Sequence, residues 1–369
     1  MGYSAYKEAI ALADLGHVIT VVHGNSDITN YRDPRITFLH LSINTTPLIG
    51  LGIYYFKIRQ LFKKQINLTK FDAIYIQSLE FGLVNLARLN IPIFYFARST
   101  MTGLQNALRS EGIKMSPLAR IVHLLLVTLE RRCMYYSRVI FVKSHSMVSE
   151  IMSLYGINSK KIAVITGGID TKDFQIETEL SYEACKRKLG IPLDKYIVLY
   201  AGRIVPQKGL IYLVKAALNL LPEPSFAVVI VGANMSKSYT KSTKRLLVNT
   251  NHQNSFHFLG QVDQLDMPLI FNLADCVVTP SLYEPFGMVN LQAASLGKTV
   301  ITTNVTGSAD LLADYPNIKI VKPGSVEAIE STLREVLSLK TQKDQLSIDL
   351  SGYSWRNVAE KLSRYFILS

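Results

Sequence analysis

The chain has 369 residues, 48% of them hydrophobic, enough for two domains of ordinary size with ample cores, and no repeat or low-complexity segment interrupts it. Three cysteines, Cys133, Cys185 and Cys276, stand far apart with no CxxC pair, which argues against a disulfide framework or a zinc site and makes a reducing cytoplasm the simplest setting. The net charge of +12 is concentrated early, since residues 1–170 hold 19 Lys and Arg against 10 Asp and Glu.

In chain order, the first informative stretch is 48–64, LIGLGIYYFKIRQLFKK, which sets Ile53, Phe56 and Leu61 among Lys57, Arg59, Lys63 and Lys64. That is the composition of an interfacial helix, and equally of a core-packed helix with a basic solvent face. Residues 36–56 carry no charge, but Asn44 and Pro47 interrupt them, so no transmembrane span is expected. The basic surplus around this segment favours an anionic partner, either a lipid phosphate or an anionic bilayer surface. Nucleic acid is the weaker explanation, because no basic-aromatic module or zinc-finger spacing occurs. The isolated His17, His23, His123 and His145 form no motif and are read as structural.

Further along, strand and helix signals alternate, which argues for parallel sheets covered by helices. A strand over 196–200 leads into Tyr200-Ala201-Gly202-Arg203-Ile204-Val205-Pro206-Gln207-Lys208-Gly209 and then a helix over 210–220. Arg203 and Lys208 therefore project from one βα loop. The next strand, over 228–231, ends at Gly232. A buried strand over 276–279 is followed by the turn Glu284-Pro285-Phe286-Gly287 and a helix over 288–296 closed by Gly297. Strand ends are where a parallel α/β sheet binds ligands. The helix start at Gly287, Met288 and Val289 offers unpaired amides and a positive dipole end to a phosphate. Glu284 beside it is an acceptor suited to sugar hydroxyls.

E-P-F-G-x-x-x-x-Q, from Glu284 to Gln292, followed by A-x-x-x-G-x-x-V, from Ala293 to Val300, resembles the signature of the retaining glycosyltransferases of family 4, the glycosyl transferases group 1. The resemblance implies the GT-B fold, two Rossmann-like doubly wound α/β domains facing a cleft. G-R-x-x-x-x-K-G, from Gly202 to Gly209, resembles the family's diphosphate clamp. Thr166-Gly167-Gly168-Ile169-Asp170, with Phe174 after it, resembles the passage from the first domain to the second. Phe256-His257-Phe258-Leu259-Gly260 resembles a short strand of the second domain, and Gly307 with Asp310 a glycine turn and its acid. Ser354-Trp355 opens a final helix that in this family returns to the first domain. The expected domains are 1–172 with 353–369 on the acceptor side, and 173–352 on the donor side.

By this resemblance the chain moves a sugar from a nucleotide-sugar donor to a hydroxyl of a sugar or lipid-linked acceptor, with retention at the anomeric carbon. Polysaccharide or glycolipid assembly is the implied role, in the cytoplasm or on the inner face of the membrane. Arg203, Lys208 and Glu284 form the implied catalytic set. Gly202, Phe286, Gly287, Met288, Val289 and Gln292 bind the donor, and Gly2 and Arg98 are the acceptor-side candidates. Two fixed cations stabilise a departing diphosphate more than the intact donor. No D-x-D triplet occurs, so no metal is expected, and no cofactor besides the nucleotide-sugar co-substrate.

Three departures stand out. Gln292 occupies the place of a second Glu that contacts ribose in the family; an amide still offers an oxygen to a hydroxyl but carries no charge. Arg98 follows the strand over 91–96 where the family often has His; it suits an acceptor phosphate or carboxylate, or pairs with a nearby acid. Residues 2–15, Gly16-His17 and the strand over 18–22 resemble the family's first helix, turn and second strand, so its first strand is missing ahead of them. That strand is central in a doubly wound sheet, and a gap is expected there. Either the sequence begins at an internal methionine, with Gly2 the remnant of a loop facing the donor phosphates, or the protein is truncated and unstable. The rival reading is a degenerate, non-catalytic binding protein; an epimerase or phosphorylase on the same fold stands third.

Overall fold

The computed structural model describes residues 2–24, 33–41, 47–64, 68–170, 183, 186–187, 189–221, 226–248, 250–263, 266–339 and 348–367. Phe174 and Cys185 lie outside the described residues. Packing divides the chain into two units, the first comprising 1–106, 113–168 and 353–369, the second 107–112 and 169–352.

In the first unit the chain runs α1 (Tyr3–Asp14), β1 (Ile19–His23), β2 (Ile36–His40), α2 (Pro47–Lys64), β3 (Ile74–Ile76), β4 (Ile93–Ala97), α3 (Met101–Ser110), α4 (Pro117–Tyr136), β5 (Val139–Val142), α5 (His145–Tyr155) and β6 (Ile162–Val164). All five residues of β4, IFYFA, are buried, as befits a parallel strand covered on both faces. It starts two residues later than its apolar run, beyond Pro92, whose carbonyl accepts from the Ile74 amide at 2.9 Å. Proline has no N–H to contribute to a ladder.

The sheet is interrupted. β1 and β2 pair in parallel as one sheet, and β3-β4-β5-β6 form another. Among the described residues β1 pairs with β2 alone and β3 with β4 alone, so each keeps one open edge. Among the described residues the two sheets are thus separate, as the expectation of a gap implies. α1 reaches β3 through Glu8, a buried carboxylate that accepts from Tyr75 Oη at 3.2 Å, Gln77 Nε2 at 2.9 Å and Arg98 at 2.9 Å.

The second unit contains β7 (Tyr196–Ala201), α6 (Leu210–Leu220), β8 (Phe226–Val231), α7 (Lys237–Arg245), β9 (Phe256–Gly260), α8 (Met267–Leu273), β10 (Cys276–Thr279), α9 (Met288–Ser295), β11 (Thr299–Thr303), α10 (Ala309–Leu312), β12 (Ile318–Val321) and α11 (Val326–Ser338). Its sheet is parallel, in the order β12-β11-β10-β7-β8-β9. All six residues of β8 are buried, and the core gathers Val198, Val228, Ile230, Val278 and Ile301 with Leu213 and Ala217 of α6. The winding direction reverses between β7 and β10, and in such a sheet ligands bind outside the carboxyl ends of the strands at that point.

The last helix, α12 (Trp355–Ile367), belongs to the first unit. Its Ser363 hydroxyl lies 2.7 Å from His17 Nε2, and Phe366 packs edge-on against Phe94 with ring centroids 5.0 Å apart. Trp355, the single tryptophan, fills the space beside Gly168, where a Cβ would sit 2.4 Å from the indole.

At the start of α3, the buried Glu130 of α4 accepts from the Met101 amide at 3.1 Å and from the Tyr155 hydroxyl. Burial pushes its carboxyl up to about 7, from 4.5, against the opposing pull of those hydrogen bonds. The folded state therefore holds the proton more tightly than the unfolded chain. The stabilisation, on the order of 3 kcal/mol, is complete below pH 4.5 and lost as pH rises through 7. Trp355 fluorescence reports on this unit, so urea unfolding followed by that signal is expected to show a lower midpoint at about pH 8 than at about pH 5.5, and Glu130→Gln to flatten the difference. A slope unchanged in the variant would assign the titration elsewhere.

Candidate active site

The site builds up from two loops that leave β7 and β10 side by side. The loop after β7 begins at Gly202, whose amide donates to Val231 O at 2.9 Å, and Ile204 then bonds Ala233 O at 2.9 Å. A one-turn 3-10 helix, Pro206–Lys208, follows and ends at Gly209. Gly209 has φ +68°, and a Cβ there would lie 1.9 Å from the Pro280 carbonyl oxygen. No other residue type allows that approach.

The two loops are hydrogen-bonded to each other. Leu282 N donates to Gln207 O at 2.9 Å, and Gln207 Nε2 donates to Tyr283 O at 3.0 Å. The result is an ion pair between the Lys208 ammonium and the Glu284 carboxylate, with side chains 19% and 17% exposed. Arg203 rises from the same loop with its side chain in solvent and its carbonyl held by the Tyr200 hydroxyl at 3.0 Å. Tyr200 is fully buried, and burial drives its phenol well above the usual range.

Glu284 is fixed from a second side. The backbone from Glu284 to Phe286 runs beside that from Thr306 to Ser308, with Gly307 N to Glu284 O at 2.9 Å and Ser308 N to Phe286 O at 2.7 Å. Gly287 then turns the chain at φ +91°, where a Cβ would meet Thr306 Cγ2 at 2.5 Å. It opens α9 without a capping side chain. The first-turn amides of Met288 and Val289 have no intrahelical acceptor and stand at the positive end of the helix. Phe286 is buried, and Gln292 lies half-buried one turn into α9, its carbonyl accepting from Ser295 Oγ at 2.8 Å.

Beneath these loops lies a polar network that the motifs do not announce. Asn290, fully buried, accepts from Thr279 Oγ1 at 2.7 Å and donates to Thr302 Oγ1 at 2.8 Å and Ser308 Oγ at 3.3 Å. Thr302 donates on to Thr306 at 3.2 Å, and Thr303 Oγ1 donates to Ser281 O at 2.8 Å. The network ties the loop after β10 to the loop after β11 through groups that are costly to leave unpaired. Its only sequence signal is the density of hydroxyls in Thr302-Thr303-Asn304-Val305-Thr306-Gly307-Ser308, set against otherwise aliphatic strands.

Of the sequence candidates, Gly202, Arg203, Lys208, Glu284, Phe286, Gly287, Met288, Val289 and Gln292 therefore share the β7–β10 end of the second unit. Gly2 and Arg98 belong to the first unit. Gly2 precedes α1 in extended backbone with no neighbour within 4 Å of a built Cβ. Arg98 pairs with Glu8, donates to Gln77 Oε1 at 2.6 Å and covers the Phe96 ring at 4.8 Å, leaving its side chain 26% exposed. Among the described residues no group of His, Cys, Asp or Glu is arranged to hold a metal ion.

Residues 1–173 match the family described as Glycosyltransferase Family 4, and residues 181–349 the one described as Glycosyl transferases group 1. The chain is similar to an uncharacterized glycosyltransferase of Methanocaldococcus jannaschii, 27% identical over 307 residues that cover 80% of this chain and 75% of that protein. It is also similar to the D-inositol 3-phosphate glycosyltransferase of Corynebacterium urealyticum, 27% identical over 272 residues, 71% of this chain and 63% of the relative. Among solved structures, sucrose-phosphate synthase from Thermosynechococcus elongatus aligns with a TM-score of 0.82 at 19% identity, covering 100% of this chain and 93% of that one. Anabaena HepE in complex with UDP and glucose aligns at 0.77 and 17% identity, covering 100% and 96%.

Proposed function

The chain belongs to the family 4, group 1 glycosyltransferases of GT-B fold, and on that premise we propose that it transfers a sugar from a nucleotide-sugar donor to an acceptor hydroxyl with retention at the anomeric carbon. The observation that carries the reading is the Lys208–Glu284 ion pair set beside the open amides of α9 at the switch point of the second sheet. An ammonium has three donors, so pairing with Glu284 leaves two for phosphate oxygens. Arg203 supplies a second, solvent-facing cation for the diphosphate. The amides of Gly287 to Val289 add to the same anion site, Glu284 orients the sugar hydroxyls, and Gln292 binds the ribose.

In the reaction the acceptor oxygen bonds to the anomeric carbon on the face from which the diphosphate departs. The bond between that carbon and the phosphate oxygen breaks, and a donor phosphate oxygen takes the acceptor's proton. The charge that builds on the leaving group meets cations already in place, which lowers the barrier without reorganisation. The acceptor is a sugar or lipid-linked saccharide of polysaccharide or glycolipid assembly, in keeping with the basic surplus of the first 170 residues. No metal or cofactor takes part.

Thermal unfolding with UDP, GDP and ADP, alone and as sugar conjugates, tests this. At about a hundred times its dissociation constant the correct nucleotide stabilises by roughly 2.7 kcal/mol, a shift of several degrees. A cooperative transition that no nucleotide moves would overturn the donor site and leave a non-catalytic binding protein. Proton NMR of the product's anomeric coupling then decides between retention and inversion.

A further inference from the structure

The stretch from Arg203 to Gly209 carries two cations and lies between β7 and α6, outside both. Such a stretch keeps one shape only where its carbonyls and amides, and those of its junctions, find partners. Two tyrosine hydroxyls supply such partners, one at each end.

At the front end the Tyr200 hydroxyl donates to Arg203 O at 3.0 Å, and the same carbonyl accepts from Val205 N at 3.1 Å. The Tyr200 ring is packed into the core with Val198, Val228 and Ile230. Phenylalanine would fill that volume without needing a polar partner, so the hydroxyl serves the loop and not the core. Ile204 N is held in turn on Ala233 O at 2.9 Å, so both sides of the Arg203–Ile204 peptide are fixed. That peptide sets the direction in which the exposed Arg203 side chain leaves the loop.

At the far end the Ile211 amide donates to the Tyr239 hydroxyl at 3.0 Å. It belongs to the first turn of α6, which starts at Gly209 with no capping side chain of its own, directly after Lys208. Tyr239 reaches it from α7, so a residue 28 positions along the chain acts as the cap. α7 is tied to the same loops a second time, because Thr240 Oγ1 donates to Asn234 Oδ1 at 2.7 Å and Asn234 pairs with Ile204. Burial pushes the Tyr239 phenol up to about 12, against the pull of the Ile211 amide, so the cap stays neutral at any working pH.

We propose that Tyr200 and Tyr239 are positioning residues of the donor site, their hydroxyls holding the loop that aims Arg203 and Lys208 at the diphosphate. Each acts through the backbone. The proposal rests on the reading of those two cations as the diphosphate clamp.

The test measures, by titration calorimetry on the full chain, the affinities of UMP and UDP, GMP and GDP, and AMP and ADP. The ratio of diphosphate to monophosphate affinity reports the grip on the second phosphate, which a general loosening of the fold would not single out. Tyr200→Phe and Tyr239→Phe should each lower that ratio by roughly two- to tenfold, the worth of one hydrogen bond, with monophosphate affinity retained. Tyr200→Phe should have no further effect on the ratio in an Arg203→Ala background, nor Tyr239→Phe in a Lys208→Ala background. Tyr239 is only partly buried, so its variant keeps the test open should Tyr200→Phe fail to fold. Ratios unchanged in the Phe variants, monophosphate and diphosphate weakened alike, or Phe effects that persist in full in the Ala backgrounds would each overturn the proposal. A wild-type chain with no preference for a diphosphate would overturn the clamp itself and this inference with it, whereas a wild-type preference that survives both Phe changes overturns this inference alone.

Discussion

Lys208→Ala is expected to lower kcat for sugar transfer by more than tenfold, and by as much as 10²–10³, the loss typical of removing one preorganised group from a developing charge. The ammonium is the charge held in place by the two loops. It is paired with Glu284 and less than a third exposed, so its field is little weakened by water. Because the leaving diphosphate is more charged than the bound donor, the loss should fall on kcat more than on KM. Glu284→Ala should match it in size through the sugar and not the phosphate. Lys208→Arg should recover part of the rate, since charge is kept and geometry is not. Steady-state rates with the nucleotide sugar identified by the thermal shift read all three. Wild-type kcat in Lys208→Ala would remove this residue from the mechanism.

Gly209→Ala should damage the same site through the backbone. Its φ of +68° costs an L-residue roughly 1–2 kcal/mol, and the added Cβ has no room beside the Pro280 carbonyl. The loops after β7 and β10 must part, which breaks the Leu282–Gln207 bond and separates Lys208 from Glu284. The expected result is a loss of at least about 2 kcal/mol in urea unfolding, with the nucleotide shift abolished. Gly352→Ala is the control, with nothing within 4 Å of the built Cβ and no positive φ. A Gly209→Ala protein that keeps its stability and its nucleotide response would mean that the two loops do not depend on this approach.

The loops after β7 and β10 were legible in the sequence because their physics demands residue types. Gly209 and Gly287 occupy left-handed backbone against a neighbour, and Lys208 and Glu284 stand out as charges between aliphatic strands. Arg98 was not decidable, because both an acceptor phosphate and a buried acid attract a guanidinium, and only the folded chain brings Glu8 to it from 90 residues away. The Asn290 network left only a run of hydroxyls as its signal, because threonine is at home in any strand and its hydroxyl partners come from separate loops.

The placement of α12 has a consequence for how the protein is made. Residues 355–367 supply Trp355, Leu362 and Phe366 to a unit whose strands are translated first, so the nascent first unit waits on the ribosome without one wall of its core until almost the whole chain has been synthesised. The second unit, contiguous apart from six residues of α3 and the turn after it, has all its described strands by residue 321 and closes earlier. Vectorial synthesis therefore runs against the usual order in which N-terminal domains fold first, and the core positions taken by Trp355, Leu362 and Phe366 stay open for that whole interval.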